Sequence, residues 1–411
     1  MKLRPKDAWV AALEIMDRLR AEGHVALLAG GCVRDRLLGA EPKDYDVVTD
    51  ATPRRVHQLF PRAREVGAQF GVMLVRKYGH SIEVATFRAD GPYSDGRHPD
   101  QVRFGSELED ARRRDFTING LFLDPLGDRV IDHVGGRADL EAGIVRTIGD
   151  PDERFAEDHL RMLRAVRFAA RLSFTVEPKT LAAIRRLGPY LSAISPERIA
   201  QELEAILTAP SRATGWNLLV DTGLRRHLNA RWPADEPEDD LAGRRLAALP
   251  PVPIGTALAF GGALAAHAVT EVRELCMALR CSNRVSDAVV WLVSHLPTVR
   301  APGAPGMELA DLKMMMAHEH WDDLRQLLCA DLTARGNSLV TFERICARAD
   351  AVPGEEIAPR PLVTGEDLHA MGIPQGPRFG VLLGAAYREQ LNNVVRTRDQ
   401  ALELIRRLVR G

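Results

Sequence analysis

Cysteine, lysine, aromatic residues and long hydrophobic runs are all scarce in this chain of 411 residues. The five cysteines are odd in number and form no C-x-x-C pair, which argues against a disulfide framework and against a zinc site. Aromatic residues make up 5% of the chain, too few for a broad base-stacking platform. Apolar stretches are interrupted well short of the ~20 residues that a membrane-spanning helix needs, and the amino-terminal segment has a charged amphipathic pattern rather than that of a secretion signal. These absences predict a cytoplasmic globular protein that does not enter a membrane.

The basic residues are almost all arginine. Only six of the 55 basic residues are lysines, and the net charge of −1 offers no overall attraction to nucleic acid. A GC-rich gene would produce the same bias without any function. The alternative is that particular arginines serve as planar, permanently charged ligands for phosphate, and only their placement in the chain distinguishes the two.

Hydrophobic patterning divides the chain into an α+β part and an all-helical part. Up to about residue 150, strand-like segments alternate with helix-like ones. The predicted strands are His24–Leu28, Asp46–Thr49, Gly71–Val75 and Ser81–Phe87. Beyond residue 150 the pattern is that of amphipathic helices, among them Asp152–Leu172, Glu177–Leu187, Pro196–Leu207 and Ala213–Leu224. The sequence therefore predicts an α+β fold in which a small sheet domain precedes a long helical remainder.

A glycine turn follows the first predicted strand. The run LLAGGCVRD ends that strand, turns through Gly30 and Gly31, and enters a helix whose first turn carries Arg34. Glycines let backbone amides approach an anion closely, and a helix amino terminus favours negative charge. An arginine there can hold a phosphate by two parallel hydrogen bonds. Because strand-to-helix turns also use glycine for steric reasons alone, this fragment by itself only suggests a phosphate site.

Two carboxylates lead into the next predicted strand. Residues two apart on a strand point to the same face, so Asp44 and Asp46 would project toward one point. Carboxylates that close repel each other unless a cation lies between them, and oxygen ligands of this kind suit Mg²⁺. Glu83, on the alternating strand Ser81–Phe87, either completes the cluster or is an exposed strand carboxylate. Beside a glycine turn, the aspartate pair predicts metal-dependent phosphate chemistry.

Arginines recur along the first predicted helix beyond residue 150. One aspartate and four arginines follow each other at intervals of three or four residues: Asp158, Arg161, Arg164, Arg167 and Arg171. On one continuous helix this spacing places them along one broad face. Like charges so arranged destabilise an isolated helix by ~0.2–0.5 kcal/mol per pair. A salt-bridged surface, with Glu153 and Glu157 as partners, is one explanation, and a site for a polyanion is the one that four aligned arginines favour.

Four motifs, in order, resemble the class II tRNA nucleotidyltransferases and bacterial poly(A) polymerases of the polymerase-beta-like nucleotidyltransferase superfamily. The motifs are GGCVRD with the following LG and DYD (residues 30–46), RRRDFTIN (112–119), RFAEDHLRMLRAVRF (154–168) and, more weakly, residues 364–392. The match is most specific over about residues 25–210. The resemblance implies a mixed-sheet nucleotidyltransferase head at 1–150 and an elongated all-α remainder, with a neck at 151–225, a body at 226–352 and a tail at 353–411.

The resemblance also implies roles for the matching residues. Asp44 and Asp46 would hold two Mg²⁺ ions and, with Glu83, form the catalytic centre. The matching nucleotide contacts are Gly31, Arg34, Arg114, Arg164 and Arg167. Asp158 and Arg161 would read the base, because a carboxylate accepting from an exocyclic amine and a guanidinium donating to the neighbouring ring nitrogen suit cytosine and adenine but not uracil or guanine. Residues 95–100 resemble the flexible segment that the family uses to switch from C to A, although His98 stands where a second basic residue is common.

We therefore expect template-independent addition of C and A, as CCA, to the 3′ end of tRNA from CTP and ATP, with release of pyrophosphate. The helical remainder would bind the tRNA, and no obligate protein partner is expected. Three alternatives stay open: a poly(A) polymerase acting on mRNA 3′ ends, an enzyme that adds only CC or only the final A, and an inactive RNA-binding relative. Residues 69–75 lack the basic stretch typical of poly(A) polymerases, the segment 95–100 argues against addition of CC alone, and the intact aspartate pair argues against an inactive protein.

Overall fold

The computed structural model describes residues 7–66, 71–91, 101–229, 239–251 and 253–410. The chain separates into two compact units, one up to Asp235 and one from Glu236 onward. Within the described ranges, no helix is both long enough and apolar enough to cross a membrane. The segment 95–100, for which the sequence predicted a role in the switch from C to A, lies outside the described residues.

The first unit is built on a mixed sheet. Its strands are β1 (Ala26–Ala29), β2 (Asp46–Thr49), β3 (Arg64–Glu65), β4 (Val72–Lys77), β5 (His80–Thr86), β8 (Leu121–Asp124) and β9 (Arg129–Asp132). They lie in the order β3-β4-β5-β2-β1-β8-β9, with β2 and β5 parallel and the other neighbours antiparallel. Two short pairs accompany the sheet: β6 (Arg88–Asp90) with β7 (Val102–Phe104), and β10 (Ile144–Val145) with β11 (Thr175–Val176). The parallel pairing sets Asp46 directly opposite Glu83.

Helices accompany these strands, and three of the following have a side-chain cap at the amino terminus. They are α1 (Ala8–Ala21), α2 (Gly31–Leu37), α3 (Pro53–Leu59), α4 (Glu107–Arg112) and α5 (Gly136–Ala142). Asp7 caps α1 by accepting from the amide of Val10, and Ser106 forms a capping box with Glu109 at the start of α4. Strand residues such as Leu27 and Val48 are buried in the core below. The β1–α2 turn, which carries the two glycines, is therefore anchored on a buried strand.

The remaining helices of the first unit correct one prediction. They are α6 (Pro151–Glu157), α7 (Arg161–Leu172), α8 (Pro178–Leu187), α9 (Pro196–Leu207) and α10 (Arg212–Asp221). The single helix predicted over 152–172 is wrong, because Asp158 is extended, with φ −153° and ψ 102°. The guanidinium of Arg161 donates to the carbonyl oxygen of Arg154 at 2.9 Å, an oxygen that a continuous helix would pair with the amide of Asp158. Asp158 thus lies in a break between two helices, and Arg161 begins the helix that also carries Arg164, Arg167 and Arg171.

The second unit is helical throughout its described part. Its helices are α11 (Asp239–Ala248), α12 (Thr256–Leu264), α13 (Val269–Ala278), α14 (Asn283–Arg300), α15 (Leu309–Met316), α16 (Trp321–Ala334), α17 (Val340–Asp350), α18 (Gly354–Ile357), α19 (Gly365–Ala370), α20 (Pro377–Leu391) and α21 (Arg398–Arg410). Helix α12 is apolar on every side and is buried from Ala257 to Leu264. A separate core near the carboxyl terminus includes Leu368, Leu382 and Ile405.

The predicted fold class is confirmed: a small mixed sheet precedes a mostly helical remainder. Strand β2 and helix α9 begin and end at the predicted residues. Strand β5 alternates as expected, with Ile82 and Val84 buried and Glu83 exposed. The finer division into head, neck, body and tail at residues 150, 225 and 352 stays a prediction, since the compact units divide near residue 235.

Candidate active site

A cavity of about 690 Å³ opens in the first unit where the glycine turn, the start of β2 and the amino-terminal half of α7 meet. It is lined by residues that are distant in sequence: Gly30, Gly31, Arg34, Asp44, Asp46, Arg113, Arg114, Asp115, Asn119, Asp158, Leu160, Arg161, Arg164, Arg167, Phe168, Arg171 and Arg198. Every predicted site residue except Glu83 is among them. Eight arginines against four aspartates give the lining an excess of positive charge, which suits a polyphosphate ligand.

The glycine turn is fixed by the conformation of Gly30. Its φ of 71° and ψ of −130° lie outside the range of ordinary residues. A Cβ added there would lie 2.9 Å from Nη1 of Arg114, whereas one added at Gly31 would make an ordinary 3.6 Å contact with Arg34. The strict requirement for glycine therefore falls on Gly30, while Gly31 begins α2 with its backbone at the cavity wall.

The two aspartates face the cavity because the residue between them faces the core. Tyr45 is buried, packs against Trp9 with ring centroids 5.5 Å apart, and donates a hydrogen bond to Glu41 at 3.3 Å. Asp46 begins strand β2 and Asp44 lies in the bend just before it, and both residues line the cavity. The predicted convergence of the two carboxylates is thus present.

Negative charge at Asp46 is only partly compensated. Burial raises the pKa of Asp46 to about 6, the charges of Glu83 and Asp44 add to the rise, and Arg114 opposes it. Among the described residues, no group of three or more His, Cys, Asp or Glu side chains forms a metal-binding cluster. Glu83 therefore acts on Asp46 through its charge, and its assignment as a third catalytic carboxylate stays a prediction.

Arg34 and Arg114 are held rigidly by the protein. Arg34 is 2% exposed; its Nε and Nη2 donate to Asp35 at 2.8 and 2.6 Å, and its Nη1 donates to the side chain of Asn119 at 2.5 Å. Arg114 donates from Nε and Nη2 to one oxygen of Asp110 at 3.2 and 2.9 Å. Both guanidinium groups are thus fixed at the cavity wall before any ligand binds.

The arginines of α7 each have a carboxylate partner from another segment. Arg164 donates from Nε and Nη2 to Asp115 at 2.9 and 2.7 Å, Arg167 donates to Glu202 at 2.7 Å, and Arg171 donates to Asp35 at 3.0 Å. Burial raises the pKa of Asp115, but the charge of Arg164 and several hydrogen bonds outweigh it and lower that pKa to about 2. These partners relieve the repulsion that the spacing of the arginines would otherwise cause.

Three arginine side chains lie around the ring of Phe168. Its ring is 5% exposed and lies 5.0 Å from the guanidinium carbon of Arg34, 5.4 Å from that of Arg164 and 4.5 Å from that of Arg167. An aromatic face attracts cations by its quadrupole, so the ring helps to hold three positive charges close together. This role was not predictable from the sequence, because a phenylalanine on an amphipathic helix is expected in the core.

The two predicted base-reading residues lie at the cavity, and each is oriented by protein groups. Arg198 donates from Nη1 and Nη2 to the two carboxylate oxygens of Asp158, at 3.2 and 2.7 Å. Arg161 is 8% exposed, pairs with Glu157 and bonds to the carbonyl oxygen of Arg154. Their positions are consequently set by the helix break rather than by one continuous helix.

Four residues that support the site were missed in the sequence: Asp115, Asn119, Arg198 and Glu202. Asp115 and Asn119 lie inside the RRRDFTIN motif, in which the resemblance assigned a role only to Arg114. Arg198 and Glu202 are four residues apart on α9, and each is followed by a buried apolar residue, Ile199 and Leu203. A charged pair at this spacing reads as a solvated helix face, and only the fold brings it to the cavity.

Comparison with known families matches two regions of the first unit. Residues 26–146 match the family described as Poly A polymerase head domain. Residues 173–231 match the family described as probable RNA and SrmB-binding site of polymerase A. The first region carries the glycine turn and the aspartate pair, and the second contains α9, whose Arg198 lines the cavity.

Relatives of known activity match nearly the whole chain. The CCA-adding enzyme of Geobacillus stearothermophilus is 34% identical over 417 residues, covering 97% of this chain and 96% of its own. That of Lactiplantibacillus plantarum is 33% identical over 408 residues, with the same coverage of 97% and 96%. The crystal structure of the Bacillus stearothermophilus CCA-adding enzyme in complex with CTP has a TM-score of 0.73 at 30% identity and covers 98% of each chain. The chain therefore belongs to the family of CCA-adding enzymes, which are tRNA nucleotidyltransferases.

Proposed function

We propose that this chain adds CCA to the 3′ end of tRNA in the cytoplasm, taking C from CTP and A from ATP and releasing pyrophosphate. The observation that carries the proposal is the composition of the cavity, where a glycine turn, an aspartate pair and a group of arginines meet. Relatives that share 33–34% identity over nearly the full chain are CCA-adding enzymes. A solved relative at 30% identity binds CTP.

The chemistry is the transfer of a nucleotidyl group. The 3′-hydroxyl oxygen of the RNA attacks the α-phosphorus of the nucleotide, the bond to the bridging oxygen of pyrophosphate breaks, and the hydroxyl proton is lost. Negative charge is spread over the phosphoryl oxygens in the transition state, so alignment and fixed positive charge supply most of the catalysis. Arg34, Arg114, Arg164 and Arg167, together with the backbone at Gly31, are the groups that we assign to the nucleotide. Because protein partners already hold these arginines, little reorganisation is needed when the triphosphate binds.

Asp44 and Asp46 fit a site for Mg²⁺. Their donors are carboxylate oxygens, the type that Mg²⁺ prefers. Burial and the charges of Glu83 and Asp44 raise the pKa of Asp46 to about 6, because they disfavour its ionised form more than Arg114 favours it, and a bound cation would stabilise that form. We assign two Mg²⁺ ions to this pair. When bound, Mg²⁺ lowers the pKa of the attacking hydroxyl and neutralises charge on the departing pyrophosphate.

Asp158 and Arg161 are assigned to base selection. A carboxylate and a guanidinium side by side complement the amine and ring nitrogen of cytosine and of adenine, and they mismatch uracil and guanine. Selection without a nucleic-acid template requires that the two groups stay in place when the base leaves. Arg198 fixes Asp158, and Glu157 with the carbonyl of Arg154 fixes Arg161.

The helical parts are assigned to the tRNA itself. We place a neck at residues 151–225, a body at 226–352 and a tail at 353–411. The family match at residues 173–231 is described as an RNA-binding site and lies mostly within this neck. A solved CCA-adding enzyme from Thermotoga maritima, complexed with tRNA, shares the fold with a TM-score of 0.68 at 20% identity over 99% of this chain and 97% of its own.

Incubation of tRNA transcripts with single labelled nucleotides tests the proposal. Transcripts that end before, within and after CC are each offered CTP, ATP, UTP or GTP, with Asp44→Ala as the inactive control. We expect C on the first two kinds of transcript, A only after CC, and no further addition. Repeated addition of A to unrelated RNA would indicate a poly(A) polymerase instead. Addition of CC alone or A alone would indicate a partial enzyme, and no addition at all an inactive RNA-binding protein.

A further inference from the structure

A second cavity of the first unit lies at the carboxyl end of α10 and shares no lining residue with the nucleotide cavity. Its volume is about 270 Å³. It is lined by residues 220–223 together with the basic side chains of Arg185, Arg226 and His227. None of these three has a role in the mechanism above, and their presence in one cavity requires another explanation.

Two guanidinium groups from different elements converge over this helix end. Arg185, on α8, places its Nη2 3.5 Å from the carbonyl oxygen of Asp221. The side chain of Arg226 folds back over Gly223, where its Nε would lie 3.9 Å from an added Cβ. His227 completes the lining, and burial together with the charge of Arg226 lowers its pKa. The carbonyl contact of Arg185 and the fold of Arg226 bring both charges over residues 221–223.

These two arginines differ from those of the nucleotide cavity in having no acidic partner. Over the ranges that the structure describes, neither Arg185 nor Arg226 lies within 4.0 Å of a carboxylate, although Asp221 also lines the cavity. By contrast, the neighbouring Arg186 forms an ion pair with Asp152. No ion pair thus neutralises these two guanidinium groups within the described ranges, and both would attract an anion bound in the cavity.

We infer that Arg185, Arg226 and His227 bind a phosphate group of the RNA backbone, outside the catalytic cavity. The inference rests on the proposed function, since it takes tRNA as the substrate. Planar guanidinium groups match the oxygens of a phosphate in geometry as well as charge. All three residues fall within the segment 173–231 that matches an RNA-binding family. A contact of this kind positions the RNA without reading its sequence.

Binding of a tRNA transcript at several salt concentrations tests this site in the full-length protein. Arg185→Gln and Arg226→Gln should each weaken binding about three- to fivefold, and the double variant should reduce the slope of log K against log salt by about one. In turnover assays the loss should appear in KM for tRNA and not in KM for CTP. Arg186→Gln is the matched control: it removes the same charge one residue away, from a side chain already paired with Asp152, and should change binding less than twofold.

Three results would overturn the inference. An unchanged affinity and salt slope in the double variant would remove the site, provided that circular dichroism shows both proteins folded. An equal loss in Arg186→Gln would show a general effect of charge. Binding of inorganic phosphate that depends on the two arginines, with no effect on tRNA, would assign the site to a free anion. A wild-type protein that adds no nucleotide to tRNA would contradict the proposed function instead, and the two failures are therefore distinguishable.

Discussion

At the scale of single residues, the ionised carboxylate of Asp46 is assigned to catalysis but destabilises the metal-free fold. Its carboxyl takes up a proton at about pH 6 in the folded protein, compared with the ordinary value of 3.8. Because the folded-state pKa is raised, ionisation of Asp46 costs the metal-free fold free energy above pH 6, and this cost disappears as the pH falls from 6 to 3.8. A residue retained at such a cost is expected to serve the chemistry.

We predict that Asp46→Asn stabilises the metal-free protein at pH 8. A rise in the pKa of Asp46 from 3.8 to about 6 corresponds to roughly 2–3 kcal/mol of unfolding free energy, which the neutral amide would recover. Denaturant unfolding in the presence of a chelator, at pH 8 and at pH 4.5, measures the effect, and the gain should shrink at the lower pH. The exposed Asp17→Asn serves as the control. Equal stability of wild type and Asp46→Asn at pH 8 would contradict the raised pKa.

Loss of either aspartate should lower catalytic activity, although Asp46→Asn is expected to raise stability. Asp44→Ala and Asp46→Ala should each lower nucleotide incorporation by more than about a hundredfold, which corresponds to ~2.7 kcal/mol in the barrier, while tRNA binding changes little. Glu83→Ala should impair turnover less, because Glu83 lies beside Asp46 without lining the cavity. Single-turnover incorporation of CTP measures all three variants. A variant of either aspartate that keeps more than a hundredth of the rate would remove it from the metal site.

Base selection gives a prediction that distinguishes an arginine that reads the base from arginines that bind phosphate. Arg161→Ala should let UTP and GTP gain relative to CTP and ATP, because the donor opposite the ring nitrogen is lost. Arg164→Ala and Arg167→Ala should lower CTP and ATP about equally, since phosphates carry no base identity. Relative kcat/KM for the four nucleotides makes the comparison. If Arg161→Ala reduced every nucleotide by the same factor, Arg161 would be only one more positive charge in the cavity.

At the scale of elements, local sequence patterns predicted the strands more accurately than the contacts between elements that form the site. The bounds of strand β2 follow from its residue pattern, and Asp44 and Asp46 both reach the cavity on either side of the buried Tyr45, although Asp44 lies just before the strand. The helix break at residues 158–160 was not predictable from spacing, since the bond that replaces the helical one comes from the Arg161 side chain. The partners of Arg164 and Arg167 lie 49 and 35 residues away along the chain. Local periodicity contains no information on such pairs.

The pair of Asp115 and Arg164 joins the segment after α4 to helix α7, and we predict that Asp115→Asn weakens this junction. The pKa of Asp115 is lowered to about 2, so its ionised form stabilises the fold above pH 3.8, and that contribution is lost as the pH falls through 2. At pH 7 the variant should lose about 2 kcal/mol of unfolding free energy. Incorporation of CTP and ATP should fall together. A variant with unchanged stability and activity would make the pair a surface contact without consequence.

At the scale of the whole molecule, the second unit has its own buried charge network. The side chains of Arg245 and Asp331 are both 0% exposed, and Nε of Arg245 donates to Asp331 at 2.8 Å. Arg300 and Arg335 donate to the other oxygen of Asp331, each at 3.0 Å. Burial raises the pKa of Asp331, but the charges and hydrogen bonds of these arginines outweigh it and lower that pKa. Three arginines thus meet at one buried carboxylate inside the helical unit.

The location of this network in the second unit leads to a prediction about the thermal unfolding of the two units. Asp331→Ala removes the carboxylate at which the buried Arg245 meets Arg300 and Arg335, which should cost about 3–5 kcal/mol. Because the network lies within the unit that begins at Glu236, we expect calorimetry of the full-length protein to show two transitions, of which only one moves to lower temperature. CTP binding, which depends on the first unit, should persist between them. Asp322→Ala removes an exposed partner of Arg325 and should cost less than about 1 kcal/mol. A single transition that shifts as a whole would mean that the units, although compact separately, unfold as one cooperative structure.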